Sequence, residues 1–197
     1  MIKIVQKENK VLRQKAKEVL IGEITSSKIK KVLKEMSSAL KSQEDGVAIA
    51  APQIGYSLSI FLISGKVFSK EFIANRNERF SGEKKADDVV KIEKKEKDVV
   101  FINPKISKLS RDKEWLPEGC LSVRWLYGKT HRSKKAMITA YNEKGEKFQR
   151  GASGLLAQIF QHETDHLKGI LFIDHAKDLK EELPPGTKNQ SKDYEDH

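Results

Sequence analysis

Apolar residues recur every three or four positions over residues 25–42, TSSKIKKVLKEMSSALKS. Ile29, Val32, Leu33, Met36, Ala39 and Leu40 fall on one stripe. This period predicts an amphipathic helix, capped by Thr25 or Ser26 and broken at Glu44-Asp45-Gly46. A shorter helix is expected over 10–19, around VLRQKAKEVL. Residues 58–64, LSIFLIS, are β-branched and aromatic, and read as a buried strand. VVFINP at 99–104 reads the same way and is expected to stop at Pro104. MITAYNEKGEKFQRG at 137–151 predicts a hairpin turning at Asn142–Gly145.

The helical period returns over 152–168, ASGLLAQIFQHETDHLK. Leu155, Leu156, Ile159, Phe160 and Leu167 form its apolar side, and Gly169 is placed to end it. Two segments lack such order. Residues 66–97 are densely charged and expected to form a long hairpin or mobile loop. The polar stretch 179–197 holds two prolines and is expected to be disordered. Strands with a late helix predict one α+β domain over 1–178, antiparallel sheets around that helix.

Composition narrows the function. Hydrophobic residues make up 38% and charged residues 34%, and no apolar run is long enough to span a membrane. The start, MIKIVQKENK, has no apolar leader, so a cytoplasmic protein is expected. The net charge of +10 favours a polyanionic partner, but acids are mixed among the lysines, as in KKADDVVKIEKKEKD. A solvated lysine-rich surface is the simpler reading. The single cysteine, Cys120, excludes an intramolecular disulfide.

The late helix carries His162-Glu163-Thr164-Asp165-His166. Positions i and i+4 share a helix face, so two imidazoles there can meet one ion. Glu163 then lies where its carboxylate can take a proton from water at the metal. A third ligand stays open. The pattern HExxHxxGxxH is followed as far as Gly169 but has Phe172 where its last histidine belongs; a second class takes a downstream Glu, for which Glu181 and Glu182 are the candidates. By itself a lone cysteine reads as a small buried hydrophobe.

Three motifs in order change that reading. Gly46-Val47-Ala48-Ile49-Ala50-Ala51-Pro52-Gln53, then Glu118-Gly119-Cys120-Leu121-Ser122, then Gln161 to Leu167 as QHETDHL, resemble the GxGxAAxQ, EGCLS and QHExDHL motifs of peptide deformylases. The resemblance covers about residues 1–178 except 66–97. It implies a divalent metal, Fe²⁺ with Zn²⁺, Ni²⁺ or Co²⁺ as substitutes, on Cys120, His162 and His166. It also implies Glu163 as general base, and Gln53 with the Leu121 N–H as donors to the oxyanion. The implied substrate is the N-formylmethionyl end of a nascent peptide, lying strand-like beside Gly46, Ala48 and Gly119. Ile49, Leu156 and Ile159 are the candidates for the methionine pocket. An ordinary metallopeptidase and a non-catalytic ribosome-docking relative are the competing readings.

Two positions depart from the family pattern. Ala48 replaces the usual second glycine, which predicts either backbone strain or a narrowed groove. Arg124 replaces a usual proline, and is expected either to bind the substrate's downstream carbonyls or carboxylate or to be solvent-exposed. A contact of 66–97 with ribosomal RNA is weighed against a tolerated surface insertion, which is preferred. Asp165 is expected to pair with Arg132 behind the metal site.

Overall fold

The structure is a computed structural model that describes residues 2–69, 72 and 97–182. Helix α1, Ser27–Lys41, starts at Ser26, whose Oγ accepts the Ile29 N–H at 3.3 Å. Strands β1 (Ala48–Ala50) and β2 (Ile60–Ile63) follow, then β3 (Val99–Leu109) and β4 (Lys113–Cys120). After β5 (Val123–Ser133), β6 (Lys135–Tyr141) and β7 (Lys147–Ser153) comes helix α2, Gly154–His166, and finally β8, Lys177–Glu181. One sheet has the order β1-β2-β3-β6-β7 and the other β4-β5-β8; all the named pairings are antiparallel. This is an α+β fold.

The buried IFLI run of β2 serves two cores at once. Its alternate side chains leave opposite faces of the sheet. Phe61 and Ile63 join Phe101, Ile138 and α2 residues Ala157, Ile159 and Phe160. Ile60 and Leu62 join Ile102 and the α1 stripe of Ile29, Val32, Met36, Ala39 and Leu40. Ala48 and Ala50 face the α2 core, whereas Ile49 between them faces α1. A third cluster, Leu12, Val123, Leu171 and Phe172, packs the segment after α2 against the start of β5.

Three expectations differ from the fold. Only Lys10–Arg13 of the 10–19 segment is helical, as one 3₁₀ turn capped by Asn9. Beyond it the backbone bonds to distant partners instead: Ala16 N–H to Leu167 C=O, and Lys17 to Ser57 and Ser59. Strand β3 passes through Pro104 to Leu109, because a register shift between Ile102 and Lys105 removes the need for a proline N–H. Asn103 holds that irregularity, with φ 50° and a side chain bonded to both the N–H and C=O of Val19. The tail expected to be disordered from 179 begins in β8, where Tyr127 pairs with Lys180 and Leu126 with Glu181. The Asn142–Gly145 turn is present, with Gly145 at φ 81°. Within 66–97, Gly65–Phe68 forms a 3₁₀ turn; residues 70–71, 73–96 and 183–197 lie outside the described residues. Among the described residues no helix is long and apolar enough to cross a membrane.

Gly169 ends α2 with φ 77°, and the Ile170 N–H returns to Asp165 C=O. A Cβ there would also stand 2.7 Å from the Arg13 carbonyl. This close approach lets the N-terminal segment run against the end of the helix that carries both histidines.

Candidate metal centre

The buried α2 presents His162 and His166 one turn apart towards the end of β4. There Cys120 begins a tight connection to β5, with Cys120 paired to Val123. Ligand atoms of Cys120, His162 and His166 all lie within 4.8 Å of one another, and Cys120 Sγ is 3.2 Å from His166 Nε2. The Ser122 N–H points at the sulfur, 3.4 Å away. Phe172, which occupies the place of a third histidine in another motif, is fully buried with its ring 6.4 Å from that of His162.

A charged network stands behind the histidines. His162 Nδ1 is 2.6 Å from Glu118 Oε1, which leaves Nε2 as the free ligand nitrogen. Glu118 also accepts from Thr130 Oγ1 at 2.6 Å and from Arg132 Nη2 at 2.7 Å and Nε at 3.1 Å. Arg132 Nη1 continues to Asp165 at 2.6 Å. The chain Asp165–Arg132–Glu118–His162 thus leaves α2, passes through β5 and β4, and returns to α2 three residues away. Burial alone would raise the Glu118 carboxyl, but His162 and Arg132 outweigh it and hold it well below the carboxylate range. Glu118 is quoted in the sequence motif, yet its role appears only once β4 pairs with β5. The anchor Gln161 is similar: its amide bonds both the N–H and C=O of Ser133, tying α2 to the end of β5.

Glu163 is buried, and its Oε2 has no hydrogen-bond partner among the described residues. Burial raises its carboxyl to about 7, against the opposing charge of His162. A buried carboxylate oxygen without a donor is costly, and water at an adjacent ion would provide one. The Nδ1 of His166 is also buried without a partner among the described residues. A thiolate with two imidazoles suits Fe²⁺ or Zn²⁺, so the residues fit a metal centre.

Gln53 lies in the 3₁₀ turn Ala51–Ile54. Its Oε1 accepts the Ala50 N–H at 2.7 Å, which aims Nε2 at Ser122 Oγ, 3.2 Å, and Cys120 Sγ, 3.5 Å. Leu121 adjoins the sulfur ligand in sequence and is bonded through its C=O to Gln6 Nε2 at 3.2 Å.

A cleft of about 340 Å³ opens over these groups. Gly46, Ala48, Gly119, Leu121, Arg124 and Ile159 line it. The other two pocket candidates do not. Ile49 is wholly buried towards α1, because strand alternation turns it away from its neighbour Ala48. Leu156 packs on the central core, and Leu155, one position earlier on the helix, faces the cleft with Gln158. Ala48 sits in β1 and is not among the positive-φ residues, so the strain reading falls and the methyl in the groove remains. Gly119 is hemmed in: a Cβ would meet the Tyr127 ring at 2.7 Å. Arg124 forms an ion pair with Asp45 and keeps its side chain 21% exposed.

The family model for polypeptide deformylase matches residues 1–182. This chain belongs to the polypeptide deformylase family. Peptide deformylase 2 of Clostridium acetobutylicum is 37% identical over 167 residues, covering 85% of this chain and 89% of that protein. The peptide deformylase of Pseudothermotoga lettingae is 37% identical over 165 residues, 83% of this chain and 76% of its own. Among solved structures, the Thermotoga maritima deformylase superposes with a TM-score of 0.69 at 29% identity, over 90% of this chain and 98% of that one. A Met-Ala-Ser-bound class I type b deformylase from Acinetobacter baumannii gives 0.71 at 26% identity, over 89% and 98%. As a deformylase, the enzyme removes the N-formyl group of newly made polypeptides and depends on a metal.

Proposed function

We propose that deformylation takes place at Cys120, His162 and His166, with Fe²⁺ as the working ion and Zn²⁺, Ni²⁺ or Co²⁺ as substitutes. The observation that carries this assignment is the convergence of one sulfur and two imidazoles next to a buried carboxylate that lacks a donor. An ion held there by Cys120, His162 and His166 would supply Lewis acidity, making water more acidic and polarising the formyl oxygen. Glu163 takes the proton as water adds to the formyl carbon, then returns it to the leaving amine as formate departs. The Gln53 amide and the Leu121 N–H donate to the oxyanion that develops on the formyl oxygen. Leu155, Gln158 and Ile159 form the wall for the methionine side chain. Gly46, Ala48 and Gly119 flank the peptide backbone, with Ala48 narrowing the groove by one methyl.

This substrate places the work wherever translation starts on N-formylmethionine, the cytoplasm in a bacterium. Ribosome contact through the lysine-rich 66–97 segment is an addition that the chemistry does not need. Formate release from formyl-Met-Ala-Ser by anaerobic enzyme loaded with Fe²⁺ or Ni²⁺ tests the assignment. Turnover is expected with the formylated peptide and no cleavage with unblocked Met-Ala-Ser. Bound metal without formate release would overturn it, and oxygen-driven loss of the Fe²⁺ form alone is expected from its thiolate ligand.

A further inference from the structure

Arg124 forms an unusual set of contacts at the cleft. Its Nη1 and Nη2 donate to the two carboxylate oxygens of Asp45, at 2.5 and 3.1 Å, and Nη2 donates also to Gln43 Oε1 at 2.7 Å. The guanidinium lies over the Trp125 ring, 5.4 Å from its centre. Trp125 itself is held at φ 67°, with its C=O accepting the Glu182 N–H. The Arg124 backbone N–H, which a proline would lack, donates to Gln6 Oε1 at 3.3 Å. The other end of that Gln6 amide holds the Leu121 carbonyl.

These contacts join two parts of the cleft wall that no strand pairing connects. Asp45 leads into Gly46, Val47 and Ala48 of the first part; Arg124 leads into Trp125, Leu126 and Tyr127 of the second. β1 pairs with β2, whereas β5 pairs with β4 and β8. The guanidinium is therefore a direct tie between the two edges that flank a peptide. Exposed ion pairs usually contribute little; here the Arg124 side chain is 21% and that of Asp45 58% exposed, and bidentate geometry with a further bond to Gln43 sets the pair apart.

We propose that Arg124 is a positioning residue for the substrate: its bridge to Asp45 and Gln43 sets the spacing of the two cleft walls and so the fit of the formyl peptide. The proposal rests on the cleft being the deformylase site. The bridge engages both terminal nitrogens of the guanidinium. It acts on peptide binding rather than on the proton transfers at Glu163.

Steady-state kinetics of the metal-loaded enzyme with formyl-Met-Ala-Ser test it, using Arg124→Ala, Asp45→Ala, the double variant and Arg124→Lys. Each alanine variant is expected to raise KM about five-fold, with kcat within about two-fold and metal content unchanged. The double variant is expected to match the singles, because both remove one bridge. Lysine, which reaches Asp45 through one nitrogen, is expected to give an intermediate KM. Lys129→Ala, which breaks the Lys129–Asp178 pair outside the cleft, is the charge control and keeps the wild-type KM. Unchanged KM in Arg124→Ala, multiplied effects in the double variant, or a fall in kcat with loss of metal would each overturn the proposal. Absence of formate release in the wild type would instead remove the reading of the cleft itself.

Discussion

Glu163→Gln is expected to lower kcat about 10²–10⁴-fold while the protein keeps its metal. The amide has the shape of the carboxylate but cannot accept the proton of the attacking water. The pH profile carries the sign of the argument. Glu163 must be ionised to act as a base, and burial has raised its carboxyl to about 7 in the metal-free protein. A bound cation nearby favours the carboxylate, so the acid limb of kcat/KM in the loaded enzyme is expected below 7. Activity is then lost as pH falls through that limb, and the residual activity of Glu163→Gln lacks it. A glutamine variant with near wild-type turnover would remove Glu163 from the chemistry.

Arg132→Ala is expected to destabilise the fold by about 3–5 kcal/mol, the usual cost of removing one partner from a buried ionic network. The Arg132 side chain is 7% exposed and holds two carboxylates, Glu118 and Asp165. Its loss leaves Glu118 with His162, Thr130 and Gln158 but without its buried cation. The Glu118 carboxyl then rises from its depressed value. The network's stabilisation is present above the ordinary carboxylate pKa of 4.5 and is lost as pH falls through the lower folded value. The variant is therefore expected to acid-unfold at higher pH than the wild type. Because Glu118 orients His162, metal affinity should also fall about 10–100-fold. Denaturant unfolding and metal titration at neutral pH check both effects; unchanged stability and metal content would dismiss the network.

What was legible in the sequence follows from how local each signal is. The 3.6-residue period of α1 and α2 lies within each segment, as does the i, i+4 histidine pair, so these needed no knowledge of the fold. Cys120 became a ligand candidate through its motif neighbours; nothing in its own position distinguishes it from a core cysteine. Long-range pairing stayed hidden. The two faces of the sheet belong to different cores, which is why Ile49 of β1 turns from the cleft although Ala48 lines it. Lys17 bonds Ser57 and Ser59, so a locally helical pattern became extended. Glu118 meets Arg132 only through the β4–β5 hairpin, and Arg124 meets Asp45 across 79 residues of chain. No periodicity encodes those contacts.

Metal stoichiometry in single variants of the anaerobically loaded enzyme addresses the centre most directly. Wild type and Glu163→Gln are each expected to hold one divalent ion per chain, whereas Cys120→Ala and His166→Ala lose it together with formate release. A Cys120→Ala protein that stays folded and retains the ion with wild-type affinity would contradict the Cys120–His162–His166 centre.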